Sequence, residues 1–233
     1  MREISSLLDD KDIEGALVVC EEAMESFPND RDLTVLYLEL LLAADRREEG
    51  LEKAEEFLLA FNYDGDIMLS YASALFENLR FEETLETLLK CLSIDGGNYE
   101  VFYLIANVLA HLGAEEQALL AMKTATAIAP SPIAIYPPLK PQEISDALSE
   151  AVESFTDELK LRLDKTRIII EKLPTISELT AGERQTSPST FGLKSGDVIK
   201  LFKYNLEWGS NSYQNLILNL ADTLAYFLEK VPD

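Results

Sequence analysis

Phe27-Pro28-Asn29-Asp30, Phe61-Asn62-Tyr63-Asp64, Ile94-Asp95-Gly96-Gly97 and Ile128-Ala129-Pro130 are the stretches that decide the fold. Each carries helix-ending residues, and positions 28, 62, 96 and 130 stand 34 residues apart. The spacing holds outward from these markers. Twelve residues before each stand Ala16, Gly50, Thr84 and Ala118, and five before stand Ala23, Phe57, Cys91 and Ala125, so three of four are small in each row. In the preceding helical segments Leu38, Ala72 and Ala106 form another row, beside Leu41, Leu75 and Leu109. A repeat made of two helices buries one face of each pair by itself, and stacking its neighbours closes the core. Residues 2–9 supply the first helix, with Ile4 and Leu7 inward, and the Asp-Lys-Asp turn leads into a second helix near Asp12.

Over residues 1–130 this pattern resembles the tetratricopeptide repeat family. The period carries the resemblance more than any single position: the aromatic residue expected 28 before the marker is Phe102 in the last repeat but Met68 and Thr34 earlier. The resemblance implies a concave groove formed by the first helix of each repeat. Its positions here are Val35, Glu39 and Leu42, then Leu69, Ser73, Phe76 and Glu77, then Tyr103, Asn107 and His111. Binding is expected to centre on Phe76, Tyr103, Asn107 and His111. Some members of the family grip a peptide's terminal carboxylate with lysine and asparagine. Asn107 matches that pattern and the lysines are missing, which argues against a chaperone-tail ligand. An apolar groove with two carboxylates suits an amphipathic helix or an extended peptide, so the expected partner is a protein or peptide of apolar or basic character. The alternative is that the linker or the C-terminal domain fills the groove.

Charge narrows the partners. The 233 residues carry a net charge of -22, with 47% hydrophobic content, enough for one large core or two modest ones. Residues 1–132 hold 27 Asp and Glu against 9 Lys and Arg, or -18; the remainder holds 15 against 11, or -4. Such a field repels phosphate backbones and anionic lipid, so neither nucleic acid nor a membrane surface is an expected ligand. The Glu pairs at 21–22, 55–56, 82–83 and 115–116 read as solvated helix faces. No apolar run approaches the roughly 18 residues of a membrane span, and the first residues lack an apolar targeting segment, so a cytoplasmic location is expected. Cys20 and Cys91 read as buried thiols.

Five of the nine prolines (Pro130, Pro132, Pro137, Pro138 and Pro141) mark a change of domain, and 131–141 is expected to be an extended linker. In the 142–233 domain, Ile144, Leu148, Val152, Phe155 and Leu159 predict one amphipathic helix to about Lys165. Residues 167–173 predict a strand stopped by Pro174, a long polar loop follows, 198–204 alternate as a second strand, and 212–230 form a final helix.

Ile168-Ile169-Ile170-Glu171-Lys172-Leu173-Pro174, Phe191-Gly192-Leu193 and Ile199-Lys200-Leu201-Phe202-Lys203-Tyr204-Asn205-Leu206-Glu207 resemble the minimal zincin-like metallopeptidase family over roughly 142–230. That family's last helix carries H-E-x-x-H after a Thr-Leu pair, with two histidines on zinc and a glutamate activating water. Here Thr223-Leu224 precedes Tyr226 and Lys230 at the histidine positions and Phe227 at the glutamate; a shift of one residue gives Ala225, Glu229 and Tyr226. Neither alignment supplies an imidazole or a general base at the family's positions, so the resemblance implies fold and argues against activity. His111 is the sole histidine, and no phosphate-binding glycine loop occurs. The expected fold is mainly α, a tetratricopeptide-type α-solenoid followed by a small α/β zincin-like domain, with no catalytic residues, no metal and no cofactor. The expected function is a scaffold or protein-protein interaction module with a pseudoenzyme domain. The alternatives are a divergent metallopeptidase-like hydrolase and a permanent structural subunit of a larger assembly; oligomeric state is not encoded in any motif.

Overall fold

Helices beginning at Ile13, Arg47, Phe81 and Glu115, and others at Arg31, Gly65 and Tyr99, are spaced by 34 residues in the computed structural model. The structure describes residues 2–95, 98–129 and 139–229. In order these helices are α1 (Arg2–Asp9), α2 (Ile13–Ser26), α3 (Arg31–Ala43), α4 (Arg47–Ala60), α5 (Gly65–Glu77), α6 (Phe81–Asp95), α7 (Tyr99–His111) and α8 (Glu115–Ile128). Local chemistry fixes their ends. Asp30, Asp64 and Asn98, again 34 apart, cap α3, α5 and α7 by accepting first-turn N–H groups, as in Leu33 N to Asp30 Oδ1 at 3.0 Å and Val101 N to Asn98 Oδ1 at 3.0 Å.

Within each pair the chain reverses through one left-handed residue: Lys11, Asp45, Leu79 and Gly113, with φ of 60°, 61°, 59° and 77°. The following amide then donates back to the preceding helix, Asp12 to the Leu7 carbonyl at 2.8 Å, Arg46 to Leu41 at 2.9 Å, Arg80 to Leu75 at 3.0 Å and Ala114 to Leu109 at 2.8 Å. These bonds satisfy carbonyls that a helix end leaves open. Markers 28 and 62 fall in turns between successive helix pairs; 96 and 130 lie outside the described residues.

Small residues let the helices approach. Ala16, Ala72, Ala106 and Ala118 are completely buried, as is Thr84, whose hydroxyl donates to the Arg80 carbonyl at 2.8 Å. At Gly50 a Cβ would come within 3.2 Å of Leu42. Ile4, Leu17, Cys20, Leu38 and Leu41 belong to one buried cluster against which Leu7 packs.

The chain divides into two compact units, 1–122 and 123–233, with the division inside α8 rather than at the prolines. Residues 131–138 of the expected linker lie outside the described residues. The second unit contains α9 (Pro141–Glu153), α10 (Asp157–Leu163), β1 (Arg167–Glu171), α11 (Ile176–Leu179), β2 (Gly192–Ser195), β3 (Val198–Phe202), α12 (Lys203–Trp208) and α13 (Tyr213–Glu229). The sheet order is β1-β3-β2; β1 runs parallel to β3 with Ile169 opposite Lys200, and β2 runs antiparallel with Leu193 opposite Lys200. Leu216, Leu220, Leu224 and Leu228 place a buried row along α13, which meets Ile144, Ala147 and Ala151 of α9 and Ile199 and Leu201 of β3.

Three expectations are corrected. The helix foreseen over 142–165 is two helices, because Thr156 caps α10, its hydroxyl accepting the Leu159 N–H at 3.3 Å. The polar loop contains α11, closed by a reciprocal Thr175–Glu178 capping box, and the edge strand β2. The strand foreseen to Tyr204 ends at Phe202, where α12 begins. Among the described residues no helix is long and apolar enough to cross a membrane.

Candidate partner-binding groove

The first helices α3, α5 and α7 enclose a recess of about 460 Å³. Val35, Glu39 and Leu42 stand on one side along α3, Leu69 and Ser73 form the middle along α5, and Tyr103 stands on α7. These are six of the ten positions expected from the sequence. Leu38, Asp66, Ser70, Glu100 and Leu104 complete the wall. Four of them were foreseeable from the period: Asp66 and Glu100 are 34 apart, as are Ser70 and Leu104, so the first-turn acids of α5 and α7 recur at the groove's edge.

The other four expected positions are not part of this lining. Phe76 is only 3% exposed and packs against Phe81, with ring centroids 5.5 Å apart, and edge-on to His111 at 5.8 Å. His111 itself lies flat on Phe81 at 4.6 Å. These three rings tie α5, the start of α6 and the end of α7 together, so Phe76 and His111 brace the helices. Asn107 is 4% exposed and turns its amide back to the Tyr103 carbonyl at 2.9 Å. Glu77 is drawn to the Arg47 guanidinium at 3.4 Å.

Three carboxylates line the recess and no lysine or arginine does. Asp66 is engaged by Arg31, which also reaches Asp64 at 3.0 Å. Glu100 accepts hydrogen bonds from the Tyr99 hydroxyl at 3.0 Å and the Asn98 amide at 3.4 Å, neither of which neutralises its charge. Glu39 has no cation of its own among the described residues; burial raises its pKa and the nearby Glu100 charge raises it further. Burial also pushes the Tyr103 hydroxyl up, a shift that its hydrogen bond with Asn107 opposes. The recess therefore offers aliphatic surface beside negative charge that lacks a local counter-ion.

The zinc implied by the zincin resemblance does not fit the second unit's last helix. On α13, Tyr226 is 53% exposed and meets Phe227 edge-on at 5.2 Å, an aromatic pair with no imidazole or carboxylate donor. Lys230 lies outside the described residues.

No family model matches the chain, and no curated protein matches it. Among solved structures it is similar to TTC0263, a thermophilic tetratricopeptide repeat protein of Thermus thermophilus, with a TM-score of 0.52 and 16% identity over 70% of this chain and 93% of that one. It also matches a crystal structure of MamA, with a TM-score of 0.45 and 15% identity over 57% and 78% of the two chains. With the 34-residue helix pairs, the likeness to TTC0263 defines the fold of the repeats as a tetratricopeptide solenoid.

Proposed function

We propose that this protein is a noncatalytic scaffold whose repeat groove binds a partner segment that is apolar and carries lysine or arginine. One observation carries the reading: a recess of about 460 Å³, walled by Val35, Leu42 and Leu69, holds Glu39 and Glu100 with no cation among its lining residues. A basic side chain entering there relieves repulsion between the two carboxylates while its neighbours cover the aliphatic wall. An acidic segment meets the opposite.

The second unit reads as a structural relative of the minimal zincin-like domains. Its support is the order of helix, strand, antiparallel edge strand, strand and long apolar helix, together with the sequence likeness of β1 and β3. With Tyr226 and Phe227 at the ligand positions its role is a platform rather than a peptidase, in a cytoplasmic protein. Panning a random peptide library against the full chain tests the function. Recovered sequences rich in Lys or Arg among aliphatic residues, and displaced by Leu69→Arg, support it; acidic consensus sequences, or ligands indifferent to that substitution, refute it. Zinc retained through dialysis, or peptide hydrolysis above background, refutes the noncatalytic reading separately.

A further inference from the structure

A second recess, of about 350 Å³, lies between α4 and α6 over α5. Its floor is Met68, Tyr71 and Leu75 of α5, whereas the concave groove uses Leu69 and Ser73. At roughly 100° per residue the two sets lie on opposite sides of that helix. The two recesses are therefore separate sites.

Comparison with the preceding repeat shows why this one is open. Thirty-four residues earlier the corresponding tyrosine, Tyr37, is 6% exposed, donates its hydroxyl to Glu21 at 3.2 Å and is covered edge-on by Phe57 at 6.4 Å. Tyr71 has the equivalent glutamate, Glu55, but Phe57 is replaced by Cys91, which carries no ring. Tyr71 finds no hydrogen-bond partner among the described residues, and Glu55 makes no ion pair there, although the Arg80 charge is near enough to feel it. Burial, then Glu55, raises the Tyr71 pKa.

The lip is apolar and projects. Leu59 is 65% exposed and Tyr63 49%. Asn62 and Tyr63 hold φ of 52° and 60°, a left-handed pair that is unfavourable for non-glycine residues. Glu55, Glu83 and Glu86 stand along the two sides; Arg80 holds Glu83, its Nε donating at 2.7 Å, and Lys90 is held by Glu86 at 2.8 Å, which leaves Glu55 as the carboxylate of the lining without an ion pair among the described residues. From Met68 to Leu75 the floor runs about 10 Å, two helical turns.

We infer that this trough is a second docking surface, taking a basic amphipathic helix of a protein partner with aliphatic side chains on Tyr71 and Met68 and lysine or arginine against Glu55. Two flanking helices present a groove along which a third helix lies with its apolar stripe down. The inference is independent of the concave-groove reading.

The test uses the full chain in a Leu69→Arg background, which closes the concave groove. The probe is a labelled 18-residue helical peptide with leucine at a 3–4 spacing and lysine elsewhere; its counterpart carries glutamate in place of lysine. The lysine peptide is expected to bind with one-to-one saturation and to slow amide exchange over 55–63 and 83–90. Adding Leu59→Ser with Tyr63→Gly is expected to weaken it at least tenfold. The glycine removes the ring and relieves the left-handed backbone, so fold loss does not explain the effect. Glu55→Lys, an exposed change, is expected to weaken binding in the same direction. Failure to saturate, equal affinity of the lip or Glu55 variants, or equal binding of the glutamate peptide overturns the inference. Since the concave groove is assayed in the wild-type chain, its own failure is read separately.

Discussion

Lys11, Asp45, Leu79 and Gly113 occupy one equivalent position, and the last, without a Cβ, is the residue that a left-handed backbone favours most. A left-handed backbone costs a residue with a Cβ roughly 1 kcal/mol. Lys11 is exposed, so Lys11→Gly is expected to stabilise the repeats by about 0.5–1 kcal/mol, read as a shift in denaturation midpoint. Phe76→Ala is expected to act on the fold: a 3% exposed ring against Phe81 and His111 should cost about 3–5 kcal/mol in chemical denaturation. The sequence placed Phe76 in the groove because helical spacing selects a face of α5, while Phe81 beginning the next helix draws the ring inward.

In the second unit, Lys200 reaches Glu171 at 2.8 Å and Glu178 at 2.5 Å. Burial acts to raise the Glu178 pKa, yet the Lys200 contact and the Thr175 amide and hydroxyl outweigh it and hold Glu178 at about 2. Its folded pKa thus lies below the ordinary 4.5, so its stabilisation is present above pH 4.5 and is lost as pH falls toward 2. Glu178→Gln is expected to flatten the stability profile over that window and, with solvent screening allowed for, to cost about 1–2 kcal/mol at neutral pH. Urea denaturation at several pH values checks both.

At the level of elements, periodicity exposed what repeats and missed what occurs once. The spacing of Val152, Phe155 and Leu159 continues smoothly through Thr156, so apolar pattern alone runs α9 and α10 together; the cap is a single hydroxyl. The β2 segment Gly192-Leu193-Lys194-Ser195 has one large apolar side chain and reads as loop. The structure supplies the missing reason for its glycine: a Cβ on Gly192 would sit 2.7 Å from the Lys200 carbonyl oxygen and 3.3 Å from Phe227. Gly192→Ala is accordingly expected to part β2 from β3 or shift α13, costing about 1–3 kcal/mol, visible as faster amide exchange in both strands. The edge strand was not legible in the sequence, because its pairing is made by backbone.

For the whole molecule, the 34-residue period made the solenoid readable, and six of the ten positions it selected line the recess between the first helices, since stacked repeats place equivalent residues on equivalent surfaces. The remaining positions depend on packing between repeats, which a one-dimensional pattern does not encode. Charge was legible as an excess of carboxylates; which of them lack counter-ions became visible only from geometry, with Asp66 and Glu77 engaged by arginine and Glu39 without a cation among the described residues. The most direct test of the scaffold reading is calorimetric titration of a peptide recovered by panning into wild type, Leu69→Arg and Glu39→Lys proteins at low and high salt. Saturable binding is expected, which Leu69→Arg weakens roughly thirtyfold or more and Glu39→Lys weakens chiefly at low salt. Affinity unchanged by both substitutions would contradict the scaffold reading.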